Sequence, residues 1–362
     1  MTHPTDLVLT GLGLVLPCGD GIEAARASLR AGLPCFAELA ETLGRGRGAA
    51  CTGFNPAGII PPMQLRRLDR PSRFAWAAAH QAFQDAGLDP KAHPELGETI
   101  AVVVGTITGG SEASEAFLRP YLQRGPEGAS PMVFPNSVAN AASGHLAVAF
   151  GLKGPSATFL ERECATFAAL EQGARWLRTG LAETALVLGT DGLFPLLLEA
   201  CRDARLLARH GDPRIGSGAG FLPGEGAQAF LLETRAHAEG RGARIRATLA
   251  AVAAAPAREN SPAARTAALA EATERVLDGH APDRWIGGSS GSPRLDPSEM
   301  GLHAAHPAWP PPIHPKALWG EFAGAGGPLL AAALLEPGER VLITCPGSGG
   351  PQYAATLEGV RL

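Results

Sequence analysis

Lys153-Gly-Pro-Ser-Ala-Thr-Phe-Leu160, then Glu161-Arg-Glu163, Cys164 and the run Ala165–Thr179, is the stretch on which the reading of this chain turns. It begins with a turn followed by a short strand. From Ala165 the Ala/Leu/Arg spacing has the period of a helix buried on one face. A cysteine between strand and helix sits on an elbow that points into a cleft, where the helix N-terminus favours its thiolate. Position alone fits a buried, inert thiol at least as well. The same grammar recurs outward from this point. Apolar, β-branched runs beside glycines at Leu7–Gly13, Thr99–Gly110, Thr184–Gly192, Ala227–Glu233, Arg244–Ala254 and Val341–Pro346 read as buried strands that end in tight turns. Between them, Gly21–Ala31, Ser72–Ala86, Ser137–Phe150, Cys164–Thr179, Ala263–Asp278 and Gly324–Leu335 have helical period. Such alternation predicts α/β layers around a mostly buried sheet. Ala253–Pro262 reads as a seam between two halves, and Pro293–Pro315, rich in Pro, His and Trp, as an irregular surface excursion.

The 362 residues carry 31 Lys+Arg against 35 Asp+Glu, a net charge of −4, and are 45% hydrophobic. That excludes a disordered polyelectrolyte and allows one large α/β unit or two domains. The mildly acidic balance argues against a nucleic-acid partner. No apolar run reaches the ~18 residues of a membrane helix, and MTHPTDLVLTG has no basic, then apolar, secretory leader. A cytoplasmic protein without a membrane partner is expected. Cys18, Cys35, Cys51, Cys164, Cys201 and Cys345 include no CxxC and no zinc-type spacing. Neither a disulfide framework nor a metal site is expected, and most of these thiols read as small buried hydrophobes.

Three glycine-rich motifs compete for chemistry. Gly11-Leu-Gly13 has the start of a dinucleotide loop, but Leu16 stands at the third glycine and no acidic residue follows at the required distance, so a tight turn after the strand is the better reading. Gly287-Gly-Ser289-Ser-Gly291 matches GxSxG, yet Ser292-Pro-Arg294 follows where a helix should open. A serine hydrolase using Ser289 stays as a weak competitor. Gly216-Ser-Gly-Ala-Gly220 has the form of an anion nest without the Gly-Lys-Ser/Thr of a phosphate loop, and reads as backbone crossing a crowded core.

Several ordered motifs together resemble the β-ketoacyl synthases of elongating type, which work with acyl carrier protein (ACP). They are Leu7-Val-Leu-Thr-Gly-Leu-Gly13; Pro135-Asn-Ser-Val-Ala-Asn-Ala-Ala-Ser-Gly-His145 with Gly151-Leu-Lys-Gly-Pro155; Cys164 at the nucleophile position; Ala185-Leu-Val-Leu-Gly-Thr-Asp-Gly192; Gly220-Phe-Leu-Pro-Gly-Glu-Gly226; Lys316–Gly327; and Pro346-Gly-Ser-Gly-Gly350. The resemblance implies the thiolase-like fold, a five-layer αβαβα sandwich of two similar halves. Residues 1–234 would form the half that carries Cys164, and residues 235–362 the other. It also implies ACP as a partner, and as substrate the acyl-phosphopantetheine of ACP, or acyl-CoA, with no bound cofactor. A homodimer, or a heterodimer with a ketosynthase, is implied as well.

The departures from the family pattern decide what the resemblance can mean. Family members hold an acyl group on the cysteine while two histidines assist decarboxylation of malonyl-ACP and stabilise the enolate. Here the alignment puts Gly288 at one histidine and Glu321 at the other. Glycine donates nothing, and an ionised Glu321, favoured by Lys316, would repel both the malonyl carboxylate and the enolate. Glu161 and Glu163 precede Cys164 where small or neutral residues are usual, and would raise its pKa. Ser348 replaces the gating phenylalanine, although its backbone N–H could still form an oxyanion hole with that of Cys164. His145 reads as a packed structural histidine. His303, His306 and His314 read as solvated loop residues unless the loop folds back into the site.

Two functions from different classes remain. The first is a non-condensing partner of an active ketosynthase, like the chain-length factors of polyketide assembly. These usually lack the cysteine, so Cys164 counts against that reading. The second is an acyltransferase in which Cys164 takes an acyl group from ACP or CoA, with Glu321 as the base beside Lys316.

Overall fold

A computed structural model describes residues 3, 5–44, 46–209 and 211–361. Setting aside two-residue bridges, the strands are β1 (Leu7–Leu16), β2 (Ile100–Gly105), β3 (Ser156–Phe159), β4 (Thr184–Asp191), β5 (Gly226–Thr234), β6 (Ala247–Pro256), β7 (Arg284–Ile286), β8 (Gly338–Cys345) and β9 (Pro351–Val360). The helices of eight residues or more are α1 (Ile22–Ala31), α2 (Arg70–Asp85), α3 (Ser111–Arg124), α4 (Ala141–Phe150), α5 (Ala165–Arg178), α6 (Pro195–Asp203), α7 (Pro262–Leu277), α8 (Asp296–Ala305) and α9 (Gly327–Leu335).

The strands lie in the order β7-β8-β9-β6-β1-β5-β4-β2-β3. The join at the middle is short: only Leu7–Leu9 of β1 pair with Ala247–Leu249 of β6. Beyond it the sheet divides into a β1-β5-β4-β2-β3 half and a β6-β9-β8-β7 half. Helices α5 and α9 lie between the halves, where Phe167, Leu170, Leu329 and Leu334 are buried in one core with Val187, Phe230 and Ile343. Helix α9 is apolar on every side because it has no solvent face. Helices α2 and α4 cover the outer face of the first half, and α7 with α8 that of the second. The result is the five-layer thiolase-like arrangement that the resemblance implied.

Three sequence expectations are corrected here. Gly11 and Gly13 lie inside β1, and they do not make a turn at its end. A Cβ at Gly13 would stand 1.9 Å from the carbonyl oxygen of Ala78, so the missing side chain lets α2 press against the strand. Ala253–Pro256, expected in a seam, are paired with Pro351–Ala354 in the second half-sheet. Pro293–Pro315 contains α8, whose first turn buries Asp296 and Glu299. The signal was present as Asp296-Pro-Ser-Glu299, an acidic, proline-containing helix start, but the prolines and histidines around it masked the period.

At the end of β5, fully buried Glu233 accepts hydrogen bonds from Arg241 (Nε 2.8 Å, Nη2 2.6 Å) and from the hydroxyl of Thr10, which sits at a bulge in β1, and pairs with His237 Nδ1 at 2.7 Å. Burial alone would raise its pKa, but Arg241, His237 and Thr10 together hold it down to about 2. A carboxyl lowered from 4.5 contributes fully above that value and loses its contribution as the pH falls toward 2. His237 is raised above 6.5 by Glu233, so its share is complete below 6.5 and fades as the pH climbs through the raised value. Glu233→Gln should therefore cost about 3–5 kcal/mol near neutrality. In urea titrations the gap from the unmodified chain should narrow between about pH 5 and about pH 2. A gap that stays constant over that range would show that Glu233 does not carry the acid sensitivity.

Candidate functional site

Cys164 is the N-cap of α5 and is fully buried. The turn that presents it passes through Arg162, whose φ of +51° is a left-handed conformation costing an L-residue about 1–2 kcal/mol. The elbow read from the sequence is therefore present, with its strain on Arg162. The thiol donates to the carbonyl of Cys345 at the end of β8 (3.2 Å). Next to it, the Cys345 thiol donates to the carbonyl of Glu163 (3.1 Å). Contact with Cys345 and complete burial push the Cys164 thiol well above its ordinary range; Glu163 adds to this and Lys316 opposes it. Burial and these neighbours outweigh the helix N-terminus.

The two N–H groups expected to form an oxyanion hole are both engaged. The amide of Cys164 donates to the Glu161 carbonyl (3.1 Å), and that of Ser348 to Glu163 Oε2 (3.0 Å). The Ser348 hydroxyl also donates to Glu163 Oε1 (2.8 Å). The Glu163 side chain thus turns inward and places its own carboxylate where a substrate oxyanion would need a donor. A surface cavity of about 310 Å³ lies over the elbow, lined by Leu160, Glu161, Arg162, Gly347, Gly349 and Pro351; Cys164 is not part of its wall.

Lys316 and Glu321 form a buried ion pair, Nζ to Oε1 2.8 Å, with side chains 2% and 1% exposed. Burial works against the Lys316 charge, but Glu321, Cys345 and Glu163 together raise its pKa above the ordinary value. The backbone of Glu321 is pinned by its N–H to Leu222 O (2.9 Å), within the Gly220–Gly226 segment. The other Glu321 oxygen, Oε2, is buried without a partner. The segment's own glutamate, Glu225, takes Arg70 (Nε 2.8 Å) and the amides of Cys51 and Leu193, which makes it an anchor for three chain segments.

Gly288 has no room for a side chain. A Cβ there would lie 2.6 Å from Pro346 Cδ and 3.0 Å from the Thr344 carbonyl oxygen. Its amide and that of Ser289 donate to Glu299 (2.9 and 3.0 Å), while those of Ser290 and Gly291 donate to Asp296. These two carboxylates on α8 hold the amides of residues 288–291, a role the sequence reading missed. Asp296 also accepts the amide of Gly216 (2.7 Å), but residues 216–219 are exposed, so this stretch runs over the surface and does not cross a crowded core. Ser289 is fully buried, its hydroxyl has no hydrogen-bond partner, and the next helix starts only at Asp296. That geometry removes the serine hydrolase.

Of the loop histidines, His306 stacks on Trp309 (3.8 Å) and His303 lies against Trp285 (5.7 Å), both on the outer side of the second half-sheet. His314 Nδ1 is 3.3 Å from Glu299 Oε2. None of the three hydrogen-bonds to Cys164, Lys316 or Glu321. His145 pairs with Asn136 (2.6 Å), which in turn donates to the Arg67 carbonyl. Among the described residues, no group of three or more His, Cys, Asp or Glu could hold a metal ion, and no helix is long and apolar enough to cross a membrane.

A cysteine at the start of a helix between two half-sheets, with a lysine block and a glycine turn closing over it, is the layout of the thiolase-like fold. The family model for the β-ketoacyl synthase N-terminal domain matches residues 5–238, and the chain belongs to the β-ketoacyl synthase family. The ketoacyl synthase beta subunit of the tetracenomycin polyketide synthase of Streptomyces glaucescens is 29% identical, over 97% of this chain and 90% of its own length. The 3-oxoacyl-(acyl-carrier-protein) synthase 2 of Synechocystis sp. is 30% identical, over 66% of this chain and 60% of its own length. Among solved structures, the ishigamide ketosynthase/chain length factor superposes with a TM-score of 0.84 at 22% identity, over 98% of this chain and 99% of that one. A β-ketoacyl synthase from Burkholderia phymatum also scores 0.84, at 17% identity, over 99% and 100%. A type II polyketide acyl-carrier protein in complex with its ketosynthase scores 0.79 at 19% identity, over 98% and 100%.

Proposed function

We propose that this chain is a non-condensing member of the family, a chain-length-factor-like subunit that pairs with an active ketosynthase in ACP-dependent polyketide or fatty acid assembly. One observation carries the reading: the Glu163 carboxylate occupies the Ser348 amide beside a buried Cys164, in a chain whose motifs align Gly288 and Glu321 with the family's two histidines. Decarboxylation builds negative charge that must meet preorganised donors. This centre offers it two carboxylates instead. A relative whose match spans 97% of this chain and 90% of its own length is itself named a ketoacyl synthase beta subunit.

A surface suited to a subunit partner supports the reading. Strand β3 is an open sheet edge. Near it in the chain, Leu118, Leu122, Phe134, Val138, Val148 and Leu160 are exposed. Unpaired edges and apolar patches are costly for a lone protein and ordinary for a subunit. In this reading the protein works in the cytoplasm without a resident cofactor, and the acyl-phosphopantetheine of ACP is the substrate of the pair.

The acyltransferase is kept as the second reading on one observation, the retained thiol at a helix N-terminus with the Lys316 charge nearby. Intact-protein mass after incubation with acyl-ACP and acyl-CoA, beside Cys164→Ala, separates the two. The proposed function expects no adduct on either protein and no decarboxylation of malonyl-ACP by the isolated chain. A stoichiometric adduct that vanishes with Cys164→Ala would overturn it in favour of acyl transfer.

A further inference from the structure

A cavity of about 430 Å³ lies apart from the centre described above; none of Cys164, Lys316, Glu321 and Ser348 is part of its wall. Its size falls within the roughly 300–1,000 Å³ of small-molecule sites. One wall is the stretch after α1, with Leu39, Thr42, Leu43 and Gly48. That stretch is fastened at both ends: the Cys35 amide donates to Leu318 O (2.8 Å) and the Ala49 amide to Pro223 O (2.8 Å). The facing wall has Leu193, Pro195, Arg70 at the start of α2 and Glu112 in the first turn of α3. Two polar groups of this wall have hydrogen-bonding capacity to spare. Arg70 gives Nε and Nη2 to Glu225 (2.8 and 2.5 Å), its side chain is 36% exposed, and its Nη1 donates to none of the described residues. Glu112 Oε2 is buried without a partner.

We propose that this cavity is a second ligand site, for a monocarboxylic acid with an apolar chain, whose carboxylate accepts from Arg70 Nη1 and from the Glu112 carboxyl while its chain lies against Leu39, Leu43 and Leu193. The head group follows from what the wall can offer. A guanidinium nitrogen only donates, so Nη1 requires an acceptor, and a carboxylate is the acceptor its geometry suits best. An ammonium would meet the Arg70 charge instead. Glu112 fits an acid ligand when it holds a proton to give. Burial first, and then the Asp69 carboxylate, push Glu112 up to about 7; Glu225 adds to this, and Arg70 and Arg73 oppose it. Asp69 is itself committed as the N-cap of α2, accepting the Ser72 amide (3.1 Å). Glu38, the other charged group of the lining, is exposed. At neutral pH Glu112 is therefore protonated about half of the time. The ligand's carboxylate and Glu112 share that proton beside the arginine, and without it the two anions repel.

The test is calorimetric titration of the full chain with octanoate, octylamine and 1-octanol, three probes of one chain length that differ in head group. Octanoate should bind at about pH 6, and more tightly than the other two. Its affinity should fall as the pH rises, by roughly tenfold per unit well above 7, because the protonated fraction of Glu112 declines. Glu112→Gln keeps a donor but has no titrating proton, so its affinity for octanoate should stay nearly constant over the same range. Leu43→Trp takes up the cavity from its other wall and should abolish binding. No octanoate binding at about pH 6, tighter binding of octylamine or octanol, an unchanged pH profile in Glu112→Gln, or undiminished binding in Leu43→Trp would each overturn the proposal. The head-group series and the pH profile of the unmodified chain decide the matter even if a variant folds poorly.

Discussion

Lys316→Met is expected to lower the stability of the chain by about 3–5 kcal/mol, because it leaves a carboxylate buried without its cation. Glu321 is 1% exposed and already has one oxygen without a partner, so loss of Lys316 leaves it only the long hydrogen bond from the Phe322 amide (3.4 Å). The same substitution at the surface pair Arg119–Glu115 should change stability little, since water solvates whichever charge remains. The double variant Lys316→Met, Glu321→Leu should recover most of the loss, because apolar residues of similar volume often replace a buried pair at little or no cost. Urea denaturation of the three proteins gives the comparison. A cost for Lys316→Met below about 1 kcal/mol would mean that water reaches the pair, and with it the centre around Cys164.

Cys164→Ala, placed in a reconstituted pair with an active ketosynthase, is expected to leave product formation unchanged, whereas omitting the chain abolishes it. Removing a working nucleophile costs on the order of 10⁴-fold or more in rate, so the outcome is not marginal. The basis is the state of the thiol: fully buried, donating to the Cys345 carbonyl, and raised by its neighbours. Rate and product length, read by mass spectrometry of the released chains, make the comparison. A collapse of output in Cys164→Ala would show that this thiol takes part in the transfer, and the partner role would then be catalytic as well as structural.

Much of the fold could be read directly because strand and helix periods are strong wherever an element is buried on a defined face. Thr184–Asp191 and Ala165–Arg178 lie almost where the pattern put them. Helix α8 was hidden because its buried face consists of carboxylates, Asp296 and Glu299, whose partners are backbone amides of a distant loop. Hydrophobic periodicity carries no signal for such a face. At the centre, the sequence named Cys164, Lys316, Glu321, Gly288, Ser348 and the electrostatic burden of Glu163. It could not tell where the Glu163 side chain goes. That depends on Ser348, 185 residues away, offering an amide and a hydroxyl at once. Gly11 and Gly13 read as a tight turn after the strand, and only the packed structure shows that they sit inside β1 where α2 presses close.

The ring of Pro346 fills the space beside Gly288. A histidine introduced at 288 would collide with that ring. A histidine at 321 would leave Lys316 charged and alone in the interior. Freeing the Ser348 amide would need a third change, at Glu163. Introducing donors into this centre therefore takes three coordinated changes, because the first two, made singly, remove packing or a charge partner without supplying the rest.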